Sequence, residues 1–206
     1  MTEAEEMERL IPAVTLLRAQ FPTAVLSVDT YRSSVARAAV DAGADMINDV
    51  SGGQLDEQMF ATIAELQVPY VLMHMQGTPE TMQDAPEYVD VTEEVLSFFI
   101  QRLDTLRRIG VHDVIVDPGF GFGKSLEHNY QLLSDLDQFQ VLGVPILCGF
   151  SRKSMINKVL GTSPEEALNG TTVLNTLALL RGVNILRVHD VKEASEAVKL
   201  TAALPA

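Results

Sequence analysis

Apolar residues along this chain fall into two alternating rhythms. Short runs rich in Val, Ile and Leu end in a polar or charged residue, and a stretch with the 3.6-residue spacing of an amphipathic helix follows each. The chain opens on Thr2-Glu3-Ala4-Glu5, a capping box, with Met7, Leu10, Ile11, Val14 and Leu17 at helical spacing behind it. Ala24–Val28 reads as a strand ending in Asp29-Thr30. Ser33 or Ser34 then caps a helix whose Val35, Ala38, Ala39 and Ala42 share a face, closed by Gly43. Met46-Ile47 is a short strand ending in Asn48-Asp49, and a helix runs over roughly Asp56–Leu66. Tyr70–Met73 is a strand ending in His74.

Gln76–Asp90, with two prolines and scattered acids, reads as a loop. A helix from Thr92 to Ile109 buries Val95, Phe99, Leu103 and Leu106. The strand Val114–Val116 stops at Asp117-Pro118, and a loop with glycine at every second place leads to a helix over Ser125–Phe139. Pro145–Phe150 is a strand ending in Ser151-Arg152-Lys153-Ser154, which begins a helix. Glu165–Arg181 is a helix, Asn184–Val188 a strand ending in His189-Asp190, and Val191–Leu204 the last helix.

This alternation predicts one domain over residues 1–206, a parallel sheet with right-handed crossovers. A doubly wound sheet would gather its ligand residues at one switch point. Here every strand ends in polar groups, at Asp29, Asn48, His74, Asp117, Lys153 and Arg187 with His189, which is the pattern of a (β/α)8 TIM barrel. The pattern supplies six strands, so the barrel reading implies that the first two βα units are missing. Taken singly, each residue has a plain structural role: Asp and Asn cap helices, a lone His is solvated, and Met73 fills core. Recurrence at one topological position favours a site.

Composition narrows the chemistry. The 206 residues are 47% hydrophobic, enough for one substantial core. The single cysteine, Cys148, excludes a disulfide framework and lies in an apolar run, as a small buried side chain would. A net charge of −13 opposes nucleic-acid binding. No apolar stretch is long enough to span a bilayer and the N-terminus is acidic, so a soluble, cytoplasmic protein is expected.

The loop Gly119-Phe120-Gly121-Phe122-Gly123-Lys124 invites a nucleotide reading that fails. A P-loop needs glycine where Pro118 stands, and a dinucleotide fingerprint from Gly119 needs glycine where Lys124 stands. The strand-end residues instead suit a flat amino-heterocycle joined to an anion. The carboxylates of Asp29 and Asp117, with Asn48, can take paired N–H donors. Lys153 offers a cation to a ring carbonyl or nitrogen, Arg187 and His189 suit a phosphate or diphosphate, and Phe122 could cover an aromatic group.

Six segments together resemble the dihydropteroate synthase family over most of the chain. They are Ser27–Thr30, Met46–Asp49, Leu72–Gly77, Asp117–Lys124, Ser151–Ile156 and Arg187–Val191. The resemblance implies a transferase joining 6-hydroxymethyl-7,8-dihydropterin diphosphate to p-aminobenzoate in folate biosynthesis, sensitive to sulfonamides. It implies that Asp29, Asn48, Asp117 and Lys153 hold the pterin, with Met73 and Gly149 lining its slot. Arg187 and His189 would face the diphosphate, and Phe122, Lys153 and Ser154 would border p-aminobenzoate. Asp117, Lys153 and Arg187 would be the catalytic set. Mg²⁺ would ride on the diphosphate, its protein ligand carried by a first loop that lies in the missing units. A homodimer through outer helices is the family's usual assembly. A non-catalytic pterin-binding module and a pterin-binding methyltransferase are the alternatives; Ser151–Ser154 and the Arg187–His189 pair favour the synthase.

Overall fold

Thr2 and Glu5 exchange bonds at the start of the chain, Glu5 N–H to Thr2 Oγ1 at 3.3 Å and Thr2 N–H to Glu5 Oε2 at 2.7 Å. Helix α1 (Glu3–Gln20) therefore begins on the predicted capping box. The computed structural model describes residues 1–77 and 86–205. They form two compact units, residues 1–74 with 99–115 and residues 75–98 with 116–206, and the chain passes from one to the other after His74, within a helix and within a strand.

The first unit holds α1, β1 (Ser27–Asp29), α2 (Ser33–Asp41), β2 (Met46–Asp49), α3 (Met59–Leu66) and β3 (Tyr70–Met73). It also holds the end of α4 (Val91–Arg108) and the start of β4 (Val114–Asp117). The strands β1, β2 and β3 are parallel neighbours, with Ser27 opposite Met46 and Ile47 opposite Tyr70. The Tyr70 N–H donates to the Asp113 carbonyl at 3.0 Å, and β4 is fourth in the sheet order. Every residue of β3 is buried, as in a parallel sheet covered on both faces.

β1 is shorter than its apolar run. The reason is that Arg18 Nη1 takes the carbonyls of Pro22 and Ala24, both at 2.9 Å, while Asp45 Oδ2 accepts the Leu26 N–H at 2.7 Å. Those backbone groups are used by side chains and cannot join a ladder. Ser33 and Ser34 sit inside α2 rather than capping it. The Ser33 N–H donates to Asp56 Oδ2 at 2.7 Å, so an acid from a later loop does the capping. The buried face of α2 is Val35, Ala36 and Ala39, with Ala38 and Ala42 only half-buried. On α1, Val14 is buried but Leu17 is exposed. The second buried residue is Glu6, which pairs with Arg32 and accepts from Thr30 Oγ1 at 2.7 Å.

The second unit holds the start of α4, the end of β4, α5 (Leu126–Ser134), β5 (Leu147–Cys148), α6 (Ser154–Leu160), α7 (Leu168–Leu180), β6 (Ile185–Leu186) and α8 (Val191–Ala202). Leu147 lies opposite Ile185 in parallel register, and Val116 bridges Ile146. The helix expected over Ser125–Phe139 divides: α5 stops at Ser134 and a 3-10 turn spans Leu136–Leu142. Asp135, at the junction, gives neither helix a side-chain cap; its Oδ2 accepts from Thr92 Oγ1 at 2.9 Å instead. Likewise Pro164–Glu166 is a 3-10 turn with its own capping box from Ser163, and α7 starts after it. Of the loop expected over Gln76–Asp90, residues 78–85 lie outside the described residues. Across that gap the Gln76 side-chain amide meets the Glu87 backbone twice, at 2.8 and 3.1 Å.

Candidate active site

Asp117 ends β4 in the second unit and is 2% exposed. Its Oδ1 accepts the Gly119 N–H at 2.8 Å and its Oδ2 accepts Arg187 Nη1 at 2.9 Å. The glycine spacing of the loop is dictated by the backbone: Gly119, Gly121 and Gly123 have φ of +70°, +85° and +62°. A Cβ on Gly123 would also stand 2.4 Å from the Gln76 carbonyl oxygen. Phe120 is fully buried against Phe150, with ring centroids 4.5 Å apart.

The loop's own lysine and side chains from outside it hold the loop in place. Lys124 Nζ donates to the carbonyls of Gly119 and Phe122 at 3.1 and 3.0 Å, and the Gly121 N–H donates to Asn129 Oδ1 at 2.7 Å. The Tyr88 hydroxyl donates to the Gly123 carbonyl at 2.8 Å. Lys153 Nζ donates to the Phe120 carbonyl at 2.6 Å and stands 5.0 Å from the centre of the Phe122 ring. A Cβ on buried Gly149 would meet Arg187 Cβ at 3.6 Å, so the backbone passes close to the arginine.

Three cations thus gather near one buried carboxylate. Burial depresses the Lys153 ammonium, Asp117 opposes that, and Arg187 reinforces it. Lys124 is brought down to about 7 by burial, which Asp117 opposes and Lys153 assists. Cys148 is buried, and burial raises its thiol well above the ordinary range, as an inert core cysteine.

The lowered Lys124 has a signed consequence. Below about pH 7 both folded and unfolded chains hold its proton. Between about 7 and the unfolded value near 10 only the unfolded chain does, so stability attributable to this lysine rises with pH in that window. Replacing Lys124 by Met removes this contribution. The slope of unfolding free energy against pH should then fall by up to about 1.4 kcal/mol per pH unit across the window. Urea unfolding at a series of pH values measures it, and identical slopes would refute the assignment.

The sequence-chosen residues fall into two groups. Asp117, Gly149, Lys153, Arg187 and Phe122 come together in the second unit. His189 is exposed there, its Nδ1 lying 2.9 Å from Ser151 Oγ, and Ser154 is exposed at the start of α6. In the first unit Asn48 is buried and its Nδ2 donates to Asp29 Oδ1 at 2.5 Å, while Met73 is fully buried in β3. His74, at the end of that strand, is buried as well.

Several contributors escaped the sequence reading. Lys124 appears in the sequence only as the end of the glycine loop, and Asn129 is not singled out there. Asp49, next to Asn48 on the opposite face of β2, is fully buried; it accepts from Ser51 Oγ, the Gly53 N–H and the Tyr70 hydroxyl, each at 2.7 Å. The available signal was the two-residue period of the strand, which sends Asn48 and Asp49 to different faces.

A buried acid among cations at the carboxyl end of a parallel strand defines an α/β enzyme site for a polar small molecule. The family described as Pterin binding enzyme matches residues 1–189. The dihydropteroate synthase of Escherichia coli strain K12 is 42% identical over 201 residues, covering 97% of this chain and 71% of that protein. The Yersinia pestis dihydropteroate synthase, solved in a sulfonamide drug complex, superposes with a TM-score of 0.94 at 38% identity, over 98% of this chain and 74% of the other. The Xanthomonas albilineans enzyme, solved in complex with 7,8-dihydropteroate, gives 0.91 at 41% identity over 100% and 77%. The same enzyme with 4-aminobenzoic acid gives 0.91 at 42% over 100% and 74%. The chain belongs to the dihydropteroate synthase family of pterin-binding enzymes, and its parallel α/β order fits a TIM-barrel type of fold.

Proposed function

We propose that this chain condenses 6-hydroxymethyl-7,8-dihydropterin diphosphate with p-aminobenzoate, giving 7,8-dihydropteroate and diphosphate. The observation that carries the reading is the buried Asp117 carboxylate with Lys124, Lys153 and Arg187 around it. Asp117 can accept paired N–H donors from the amino-pyrimidine edge, and Lys153 can donate to the ring carbonyl or a ring nitrogen. Gly149 is assigned to the slot of that pterin; Asp29, Asn48 and Met73, in the first unit, are assigned to a pterin from the sequence resemblance alone.

The chemistry then follows from charge. The bond between the pterin methylene carbon and the bridging oxygen breaks, and its electron pair leaves with the diphosphate. Positive charge on the methylene carbon spreads into the ring, where Asp117 stabilises it electrostatically. Arg187 and His189 take the departing anion, Arg187 through its bidentate fork. The aryl amine nitrogen, bordered by Phe122, Lys153 and Ser154, then forms the new bond and loses one proton.

Mg²⁺ on the diphosphate is an expectation of the family. Among the described residues no three His, Cys, Asp or Glu side chains cluster to hold a cation, so no step is assigned to it. The finer architecture, in which the six strands are six of the eight of a (β/α)8 barrel, belongs to this proposal, as does a cytoplasmic location. So does a homodimer through outer helices: α7 and α8 expose Val173, Leu177, Leu180, Leu200 and neighbouring residues. Light scattering at the mass of a single chain would refute it.

The test is the initial rate of dihydropteroate formation against p-aminobenzoate concentration, with and without a sulfonamide. The expected result is a raised apparent KM for p-aminobenzoate with kcat unchanged. Inhibition that p-aminobenzoate cannot relieve would overturn the placement of the amine site, and absence of product would overturn the reading.

A further inference from the structure

Among the described residues, Gln67 and Arg152 are the non-glycine residues with positive φ, at +53° and +58°. Gln67 closes helix α3, a place where left-handed residues are common. Arg152 has no such excuse. It lies in the turn between β5 and α6 and directly precedes Lys153. A non-glycine residue persists in that conformation only where its surroundings over-determine it.

The surroundings do so from several directions. Arg152's N–H donates to Thr171 Oγ1 at 3.1 Å, and its carbonyl accepts Asn157 Nδ2 at 3.4 Å. Its guanidinium meets Asp190 with two parallel bonds, Nε to Oδ2 at 3.1 Å and Nη2 to Oδ1 at 2.7 Å, and Nη1 reaches the Pro164 carbonyl at 3.3 Å. On the other side of the turn, the His189 N–H donates to Ser151 Oγ at 3.2 Å. The turn is therefore fastened to the start of α8 at two adjacent residues.

Asp190 supplies the second, independent observation. It occupies the N-cap position of α8, where an aspartate ordinarily accepts an N–H of its own helix. It makes no such bond. The carboxylate is turned away from the role its position offers and is committed to Arg152. The residue that gains from this is Lys153, whose Nζ is held on the Phe120 carbonyl beside the Phe122 ring.

We infer that Arg152 and Asp190 are positioning residues: their bidentate pair holds the left-handed turn that aims Lys153 into the site. The inference rests on the reading of Lys153 as a substrate contact and concerns what places it there. It separates two things that Lys153 needs, a charge and an address.

The experiment uses glycine as a rescue, because glycine adopts positive φ without strain. Lys153 acylation by an amine-directed reagent is followed by peptide mass mapping, with exposed Lys199 as the internal reference. Asp190→Ala should raise the relative modification of Lys153 about tenfold, the size expected for loss of a charge-assisted pair. Asp190→Asn, the milder change, should move it in the same direction. Adding Arg152→Gly to Asp190→Ala should return it to within about twofold of the parent, because the turn then needs no tether. A Lys153 rate unmoved by both Asp190 variants, or a glycine that restores nothing, would overturn the inference. Lys153→Ala is assayed separately for condensation. Unchanged turnover there, with Lys153 still released by Asp190→Ala, would remove the catalytic role of Lys153 and leave the positioning intact.

Discussion

Asp117→Asn slows condensation by about 10³-fold or more, because the substitution removes the buried carboxylate assigned to the pterin edge while Lys153 and Arg187 stay in place. Asparagine keeps the shape and one acceptor, but it cannot take two parallel N–H bonds from an amino-pyrimidine edge or oppose developing positive charge. The change also strips Arg187 of its 2.9 Å partner and leaves buried Lys124 without its nearby carboxylate. Because Arg187 is partly exposed, the accompanying loss of folding stability is small, on the order of 1 kcal/mol. The two effects are separable by measuring kcat under conditions where circular dichroism shows the variant folded. A variant that is folded and within about fivefold of the parent rate would contradict the electrostatic role.

Lys153→Ala is expected to have the next largest effect, a fall in kcat/KM of about 10²- to 10³-fold. The ammonium is depressed by burial yet held by the Phe120 carbonyl at 2.6 Å, so its position is fixed before any ligand arrives. Truncation loses that preset donor and uncovers one face of the Phe122 ring. Because both proposed ligands border Lys153, KM should rise for the pterin and for p-aminobenzoate together. Folding should change little, since the residue is only half-buried. Steady-state kinetics varying each substrate in turn is the check; a KM effect on one substrate alone would assign Lys153 to that ligand only.

Much of this was legible in the sequence because the local signals agree with the tertiary structure. Among the described residues, apolar runs such as Met46-Ile47, Tyr70–Met73 and Val114–Val116 yield strands in the expected place and order, while Pro145–Phe150 and Asn184–Val188 yield only the short strands Leu147–Cys148 and Ile185–Leu186. The acids and cations at their ends include the Asp117, Lys153 and Arg187 set. The ends of elements were less legible. β1 is trimmed because Arg18 and Asp45, distant in sequence, take its backbone groups. The cap of α2 is Asp56 rather than Ser33 or Ser34, for the same reason. These are long-range side-chain-to-backbone bonds, and no local pattern encodes them.

The site residues that sequence missed share that cause. Lys124 ends a glycine motif, and only the fold buries it against the carbonyls of Gly119 and Phe122. Asp190 stands in the sequence only as part of the polar end of a strand, and the structure shows both of its oxygens on Arg152. The positive φ of Arg152 has no sequence signature at all, because nothing about arginine announces a left-handed residue.

The most direct measurement is an equilibrium titration of a reduced pterin into the parent chain and into Asp117→Asn, each shown to be folded. A carboxylate that receives paired N–H donors in a buried site should give the parent an affinity roughly 100-fold higher. Equal affinity in the two proteins would contradict the assignment of Asp117 as the residue that holds the pterin.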